Sequence, residues 1–167
     1  EAEVTVRYGG SGRAIAPAGA SMGSGEAIEL RDGGEAFGGY DVSTAVAAVN
    51  GEINAALKGM TVGEQAAIDA RLIELDGTPD KSRLGGNAMI AVSMAVLQAA
   101  AAVEKLPLWQ YLGHFRGDDA ADHLPLPEIQ IFGGGAHAGR RVDIQDFMVI
   151  AVGAGSYAEA LDWTAEV

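Results

Sequence analysis

Four polar side chains lie within ten positions of one another, directly after a triple glycine. They are His137, Asp143, Gln145 and Asp146, and the glycines occupy residues 133–135. An apolar run that ends in Gly-Gly-Gly is typical of a strand that stops where the backbone must bend or approach another group closely. A histidine and a carboxylate at such a place can transfer protons or hold a substrate by polar contacts. The pattern therefore predicts a site for acid–base chemistry or substrate binding.

The same residues also have a structural interpretation. His137 could be a surface loop histidine. Asp146 leads into an apolar run and needs a hydrogen-bond partner or the open end of a sheet, so it could be a strand-end acceptor. Asp143 and Asp146 could form surface ion pairs with Arg140 and Arg141. The residues by themselves leave both interpretations open.

A second candidate lies in the glycine- and serine-rich segment at residues 17–25, which has the sequence PAGASMGSG. Such a loop can present hydroxyl and carbonyl oxygens, the ligands that magnesium takes. Ser21 is therefore a candidate metal ligand. A plain connector is the other interpretation of this segment.

Composition narrows the classes of function. The chain has 167 residues, a net charge of −12 and no cysteine, which excludes disulfides and thiol catalysis. An acidic surface argues against nucleic acids and anionic membranes, because both need a basic face. No uninterrupted apolar run reaches the roughly 18 residues of a membrane span, and the N-terminus does not resemble a signal peptide. We therefore expect a cytoplasmic protein with no nucleic-acid partner and no membrane span.

Several elements must position these candidates. Three short β-like segments, at residues 4–8, 13–16 and 27–31, predict an antiparallel meander. Apolar spacing predicts a helix over 42–57 that Asp41 can cap, and Thr61 with Glu64 has the spacing of a capping box for the next helix. The nearly uniform apolar run 87–105 predicts a helix buried on two sides.

The acidic stretch 117–122 is the best candidate for a domain boundary. We therefore expect an α+β domain over residues 1–122 and the beginning of a second domain over 123–167. In the second domain, residues 126–132 and 147–152 are predicted to be buried strands, followed by a helix that extends to the last residue.

Several stretches together resemble the enolase (phosphopyruvate hydratase) family. The most specific is LDGTPDKSRLGGNA at 75–88, which is similar to the family pattern LDGT-x-NKS-x-LGANA. The loop AGASMG at 18–23 looks like the family's mobile loop. GGAHA at 134–138 and DIQDFM at 143–148 resemble the start of the family's β/α (TIM-like) barrel. The resemblance implies that the chain spans an enolase N-terminal domain and the first barrel strands.

The resemblance implies a glycolytic, magnesium-dependent lyase that interconverts 2-phosphoglycerate and phosphoenolpyruvate, and usually a homodimer. By matching position, Ser21 would bind the second magnesium ion and His137 the substrate phosphate region. Gln145 would contact the substrate carboxylate region, and Asp146 would stand near the leaving hydroxyl. The family's lysine base, its glutamate acid and three metal carboxylates lie further along than Val167, so we do not expect these 167 residues to catalyse the reaction.

Three departures from the family pattern cluster at the site. The family's SGAST has Met22 at its last position here, NGGSH has Gly133 and Ala136 in place of polar residues, and a glutamate is replaced by Asp146. These changes indicate two alternatives: a paralogue that acts on a phosphonate analogue, or a non-catalytic scaffold. If the substrate is 2-phosphoglycerate, Asp146→Glu is expected to raise activity.

Overall fold

The structure, a computed structural model, describes residues 1–19, 23–116 and 124–167. It divides into two units, Glu1–Asp118 and Asp119–Val167, and each is described by itself. In the first unit the described strands and α-helices are β1 (Ala2–Thr5), β2 (Ser11–Ala14), α1 (Ser43–Ala48), α2 (Asn54–Leu57), α3 (Gln65–Asp76), α4 (Gly86–Val103) and α5 (Leu108–Arg116). A π-helical turn, Val49–Ile53, joins α1 to α2. The predicted helices over 42–57 and 87–105 are therefore confirmed.

Helix α4 is the centre of the first unit. It packs against β1, β2, α1, α3 and α5, and this confirms the prediction that it is buried on more than one side. Small residues let the β1–β2 hairpin approach closely: a side chain on Gly12 of β2 would overlap the backbone of Ala95 and Ala99. The alanine-rich sequence of α4 is thus a packing surface for a nearby backbone.

Helix α4 is also long and apolar enough to cross a membrane, judged by length and composition alone, with a mean hydropathy of 1.6 over its 18 residues. Half of that window is buried inside the protein, and Ala95 and Ala99 are fully buried. The core helix of a globular domain has the same properties. The helix therefore gives no firm evidence of a membrane span.

The prediction of a three-stranded meander is wrong. Within the described residues, β1 and β2 form a two-stranded antiparallel sheet, and segment 27–31 does not join it. Its backbone bonds elsewhere: the Ile28 N–H donates to the Asp80 carbonyl at 2.7 Å. The Asn87 side chain accepts from the Leu30 N–H at 3.2 Å and donates to the Leu30 carbonyl at 3.0 Å. These partners replace, at Ile28 and Leu30, the backbone bonds that a neighbouring strand would make.

The helix caps also differ from the predictions. Glu64 is the N-cap residue of α3 and makes no side-chain capping bond, so the Thr61–Glu64 capping box is not formed. Asp41 accepts a hydrogen bond from the Val42 N–H at 2.8 Å, which lies before α1. The N–H of Thr44 in the first turn of α1 instead donates to Asp32, at 3.2 Å. Hydrogen bonding with Thr44 lowers the pKa of Asp32 below its ordinary value.

The stretch that carries the most specific family resemblance contains a buried carboxylate. Asp76 is 2% exposed and accepts hydrogen bonds from the Thr78 N–H at 2.9 Å, the Thr78 hydroxyl and the Leu84 N–H at 2.8 Å. Burial acts to raise its pKa, but these bonds and the charge of Lys81 together lower the pKa below the ordinary 3.8. Asp76 therefore fixes the loop between α3 and α4 as an ionised acceptor.

Asp76→Asn is expected to destabilise the full-length protein by about 2 kcal/mol at pH 7, because the amide leaves a buried donor without an acceptor. The pKa of Asp76 in the folded protein lies below its value of 3.8 in the unfolded chain. At a pH between these two values, the unfolded chain therefore binds more protons than the folded protein does. The contribution is complete above about pH 5 and is lost as the pH falls through the folded pKa. Urea unfolding at pH 7 and at low pH measures both effects.

Glu35→Gln is a suitable control because Glu35 is exposed. We expect that variant to unfold like the wild type at both pH values. Two results would contradict this role for Asp76. One is an equal free energy of unfolding for Asp76→Asn and wild type at pH 7, and the other is a difference between them that is as large at low pH as at pH 7.

The second unit contains β3 (Glu128–Gly133), β4 (Asp146–Ile150) and α6 (Tyr157–Glu166). The two strands pair antiparallel, with Gly133 opposite Asp146, and α6 packs against β4. The strands lie close to their predicted positions, but the prediction that they are buried is wrong: Phe132 is 50% exposed and Met148 is 51% exposed. Apolar composition indicated core strands, whereas in the described part of this unit a single α-helix, α6, packs against β4.

Candidate active site

The antiparallel pairing brings the end of β3 and the beginning of β4 to the same edge. Two backbone bonds hold the connection: the Gly134 N–H donates to the Gln145 carbonyl at 2.6 Å, and the Gly135 N–H donates to the Val142 carbonyl at 2.8 Å. We call residues 133–137 and 145–146 the glycine corner. It joins the predicted histidine segment to the predicted Gln145–Asp146 pair.

Position 134 of the corner has no room for a side chain. Its backbone is extended, with φ −121°, so no left-handed conformation is involved. A side chain at this position would overlap the carbonyl oxygen of Ile144, and its first carbon would lie 3.2 Å from Cβ of Val142. The obstacle is backbone, which cannot rotate away, so the corner closes only around a residue without a side chain.

His137 lies in a short 3₁₀ turn, Gly135–Ala138, which begins at the corner. The turn is closed by the Arg140 N–H, which donates to the Gly135 carbonyl at 2.8 Å. The His137 side chain is exposed, and among the described residues its ring forms no hydrogen bond. The bond thus closes the turn around His137, and in the described part of the chain both ring nitrogens are available to a ligand.

Gln145 and Asp146 lie on the other side of the corner, and both are exposed. Gln145 precedes β4, and a Cβ added to Gly135 would lie 3.5 Å from its side chain. Asp146 is the first residue of β4 and accepts a hydrogen bond from Nε2 of Gln130. The corner therefore presents an imidazole, an amide and a carboxylate, which can contact an anionic or hydroxyl-bearing small molecule.

The ion-pair interpretation of this segment is not supported. Among the described residues, no pair within 4.0 Å joins Arg140 or Arg141 to Asp143 or Asp146. Both arginines are exposed and lie within four positions of His137. Both guanidinium groups are therefore available to an anion, and in the sequence they are followed by two carboxylates, Asp143 and Asp146, which balance their charge.

Two further candidate residues come from the sequence, Ser21 and Asp143. Ser21 lies outside the described residues, and Asp143 is exposed in the loop before β4. In the described ranges, no group of three or more His, Asp or Glu side chains could hold a metal ion.

Sequence reasoning missed Gln130. The signal was present: Glu128 and Gln130 alternate with Ile129 and Ile131 in the apolar run, and such alternation is typical of a strand with one solvated face. Interpreting the run as a fully buried strand hid that face. The structure shows that Gln130 contacts Asp146 directly.

The fold and the site define an α+β unit followed by a hairpin-and-helix unit that carries a glycine-rich, histidine-bearing corner. Residues 1–112 match the family model described as "Enolase, N-terminal domain", and residues 121–167 match "Enolase, C-terminal TIM barrel domain". The chain belongs to the enolase family. Membership supports an enolase-type lyase with a small-molecule substrate, and it assigns the hairpin-and-helix unit to the barrel domain.

Proposed function

We propose that the full-length protein containing this chain is a magnesium-dependent lyase that dehydrates 2-phosphoglycerate to phosphoenolpyruvate through an enolate. Family membership supports the reaction class. The observation that carries the proposal is the glycine corner, because one pair of backbone bonds at 2.6 and 2.8 Å joins the His137 turn to the Gln145–Asp146 end of β4. Residues that must contact one small substrate are thereby held on one edge.

Each side chain of the corner suits a different part of this substrate. The exposed imidazole of His137, with Arg140 and Arg141 nearby in the sequence, provides donors and positive charge for the phosphate. The amide of Gln145 can donate to the carboxylate of the substrate. Asp146 is proposed to lie near the leaving hydroxyl, where a carboxylate can exchange a proton with it.

Magnesium is proposed as the cofactor, and Ser21 as one of its ligands, on the basis of the family pattern. Hydroxyl and carboxylate oxygens are ligands that Mg²⁺ accepts, and bound magnesium would supply positive charge to an enolate. The remaining ligands, the base and the acid are expected on other parts of the full-length protein. A cytoplasmic location, a homodimer and a domain boundary near residue 122 belong to the same proposal.

A paralogue that acts on a phosphonate analogue is the second candidate. The observation in its favour is the register of the hairpin, because Gly133 lies directly opposite Asp146. Both residues are departures from the family pattern, and both shorten a side chain. Together they leave more space at this edge than an asparagine opposite a glutamate would, which suits a ligand of different shape.

The test uses the full-length protein with 2-phosphoglycerate. We expect an absorbance rise from phosphoenolpyruvate that disappears when EDTA removes divalent ions and returns when Mg²⁺ is added in excess. Turnover of a phosphonate analogue without turnover of 2-phosphoglycerate would favour the paralogue. A folded protein that turns over neither compound would overturn the lyase proposal and favour the scaffold.

A further inference from the structure

We propose that Gln130 is a positioning residue for Asp146 and that Gln130, Gly133 and Asp146 form one coupled unit that sets specificity at the glycine corner. The inference rests on the proposed function, because it assigns Asp146 a substrate contact. It starts from one contact: Nε2 of Gln130, in the middle of β3, donates a hydrogen bond to Oδ1 of Asp146.

The register of the hairpin makes this contact possible. Gln130 pairs with Met148, and a bulge between Gln130 and Phe132 adds one residue to β3. In regular antiparallel pairing, residue 132 would lie opposite residue 146. The bulge instead places Gly133 there, so a residue without a side chain faces Asp146 and the diagonal from Gln130 to Asp146 stays open.

Gly133 takes part in the contact through its missing side chain. A Cβ added at Gly133 would lie 3.3 Å from Nε2 of Gln130, a tight contact that the amide would relieve by moving a few tenths of an ångström. The glycine therefore leaves room for the amide that holds Asp146. The departures from the family pattern at 133 and 146 thus have a common explanation in one side chain that the resemblance did not include.

The contact has a chemical consequence for Asp146. An amide that donates to Oδ1 restricts the rotation of the carboxylate and leaves Oδ2 as its freer oxygen. The pair is exposed, and an exposed neutral-to-charged hydrogen bond contributes little to stability. The contact therefore serves to orient the Asp146 carboxylate. Its loss should change kcat much more than it changes the stability of the fold.

The test compares full-length variants with 2-phosphoglycerate at saturating Mg²⁺. Gln130→Ala is expected to lower kcat by about 10- to 100-fold with little change in KM and an unchanged melting temperature. Gly133→Ala is expected to act in the same direction. Glu128→Ala is the control, because Glu128 is an exposed residue at the opposite end of β3, and it should behave like the wild type.

Side-chain length gives a sharper test. Asp146→Glu lengthens the carboxylate side chain by one methylene, and Gln130→Asn shortens the amide side chain by one. The double variant therefore keeps the summed length of the two side chains that meet. We expect the gain predicted from sequence for Asp146→Glu to be larger when Gln130→Asn is also present, with strong coupling in the double-mutant cycle. Additive effects, or Gln130→Ala within about twofold of wild type, would overturn the proposal.

An NMR measurement that needs no substrate turnover tests this inference independently of the proposed function. The side-chain amide resonances of Gln130 should shift in Asp146→Ala and stay unchanged in Asp143→Ala, whatever the substrate. If the wild type does not convert 2-phosphoglycerate but the resonances shift as expected, the proposed function fails and the contact stands. If the resonances do not respond to Asp146→Ala, the contact itself is absent and the inference fails.

Discussion

Gly134→Ala is expected to lower kcat/KM of the full-length protein by about 100-fold or more. The new methyl group would overlap the Ile144 carbonyl oxygen, so the two chain segments must separate. Separation breaks the bonds from the Gly134 N–H to Gln145 and from the Gly135 N–H to Val142, at 2.6 and 2.8 Å. His137 and Asp146 then lose their fixed relation, although neither has been changed.

Gly153→Ala is the matched control for this prediction. Gly153 follows β4 in the same unit, and an added Cβ there would meet the Trp163 ring at an ordinary 3.6 Å. We expect kcat/KM of that variant to remain near the wild-type value. Steady-state kinetics should be accompanied by circular dichroism, since Gly134→Ala should leave most secondary structure intact. A fully active Gly134→Ala variant would mean that the glycine corner does not position the site.

The helices of the first unit could be predicted because their evidence is local. Helix α4 is apolar nearly all round, and such a sequence over 18 residues is difficult to place anywhere except inside a core. Segment 27–31, with the sequence AIELR, was predicted as a strand from its alternation of apolar and charged residues. Its hydrogen-bond partner Asn87 lies 57 positions away from Leu30, and no pattern within the segment reveals a partner at that distance.

In the candidate site, too, local sequence patterns indicated residues that are close in the sequence and missed a contact between residues that are further apart. Residue types and the triple glycine indicated His137, Gln145 and Asp146, because these residues are close in sequence. The contact between Gln130 and Asp146 depends on a bulge in β3, and the residue pattern does not show where a strand gains a residue. The buried-strand predictions failed for a related reason, since apolar composition does not say how many elements cover a sheet.

His137→Ala is expected to lower kcat/KM by between about 10² and 10⁴-fold, the range for a residue that takes part in proton transfer or charge stabilisation. The His137 side chain is exposed, and its turn is closed by backbone bonds such as that from Arg140 to Gly135 at 2.8 Å. Truncation therefore removes the proposed substrate contact without removing support from the fold. A loss of activity at unchanged melting temperature is the expected combination.

His114→Ala is the matched control, since the His114 side chain is 58% exposed and lies in the first unit, 3.8 Å from Glu104. The most direct test of the glycine corner as the substrate-binding edge is the ratio of kcat/KM between these two variants. It is measured on the full-length protein with 2-phosphoglycerate at saturating Mg²⁺. We predict that His114→Ala is at least about 100-fold more active than His137→Ala. Equal activity of the two variants, both near wild type, would contradict the account.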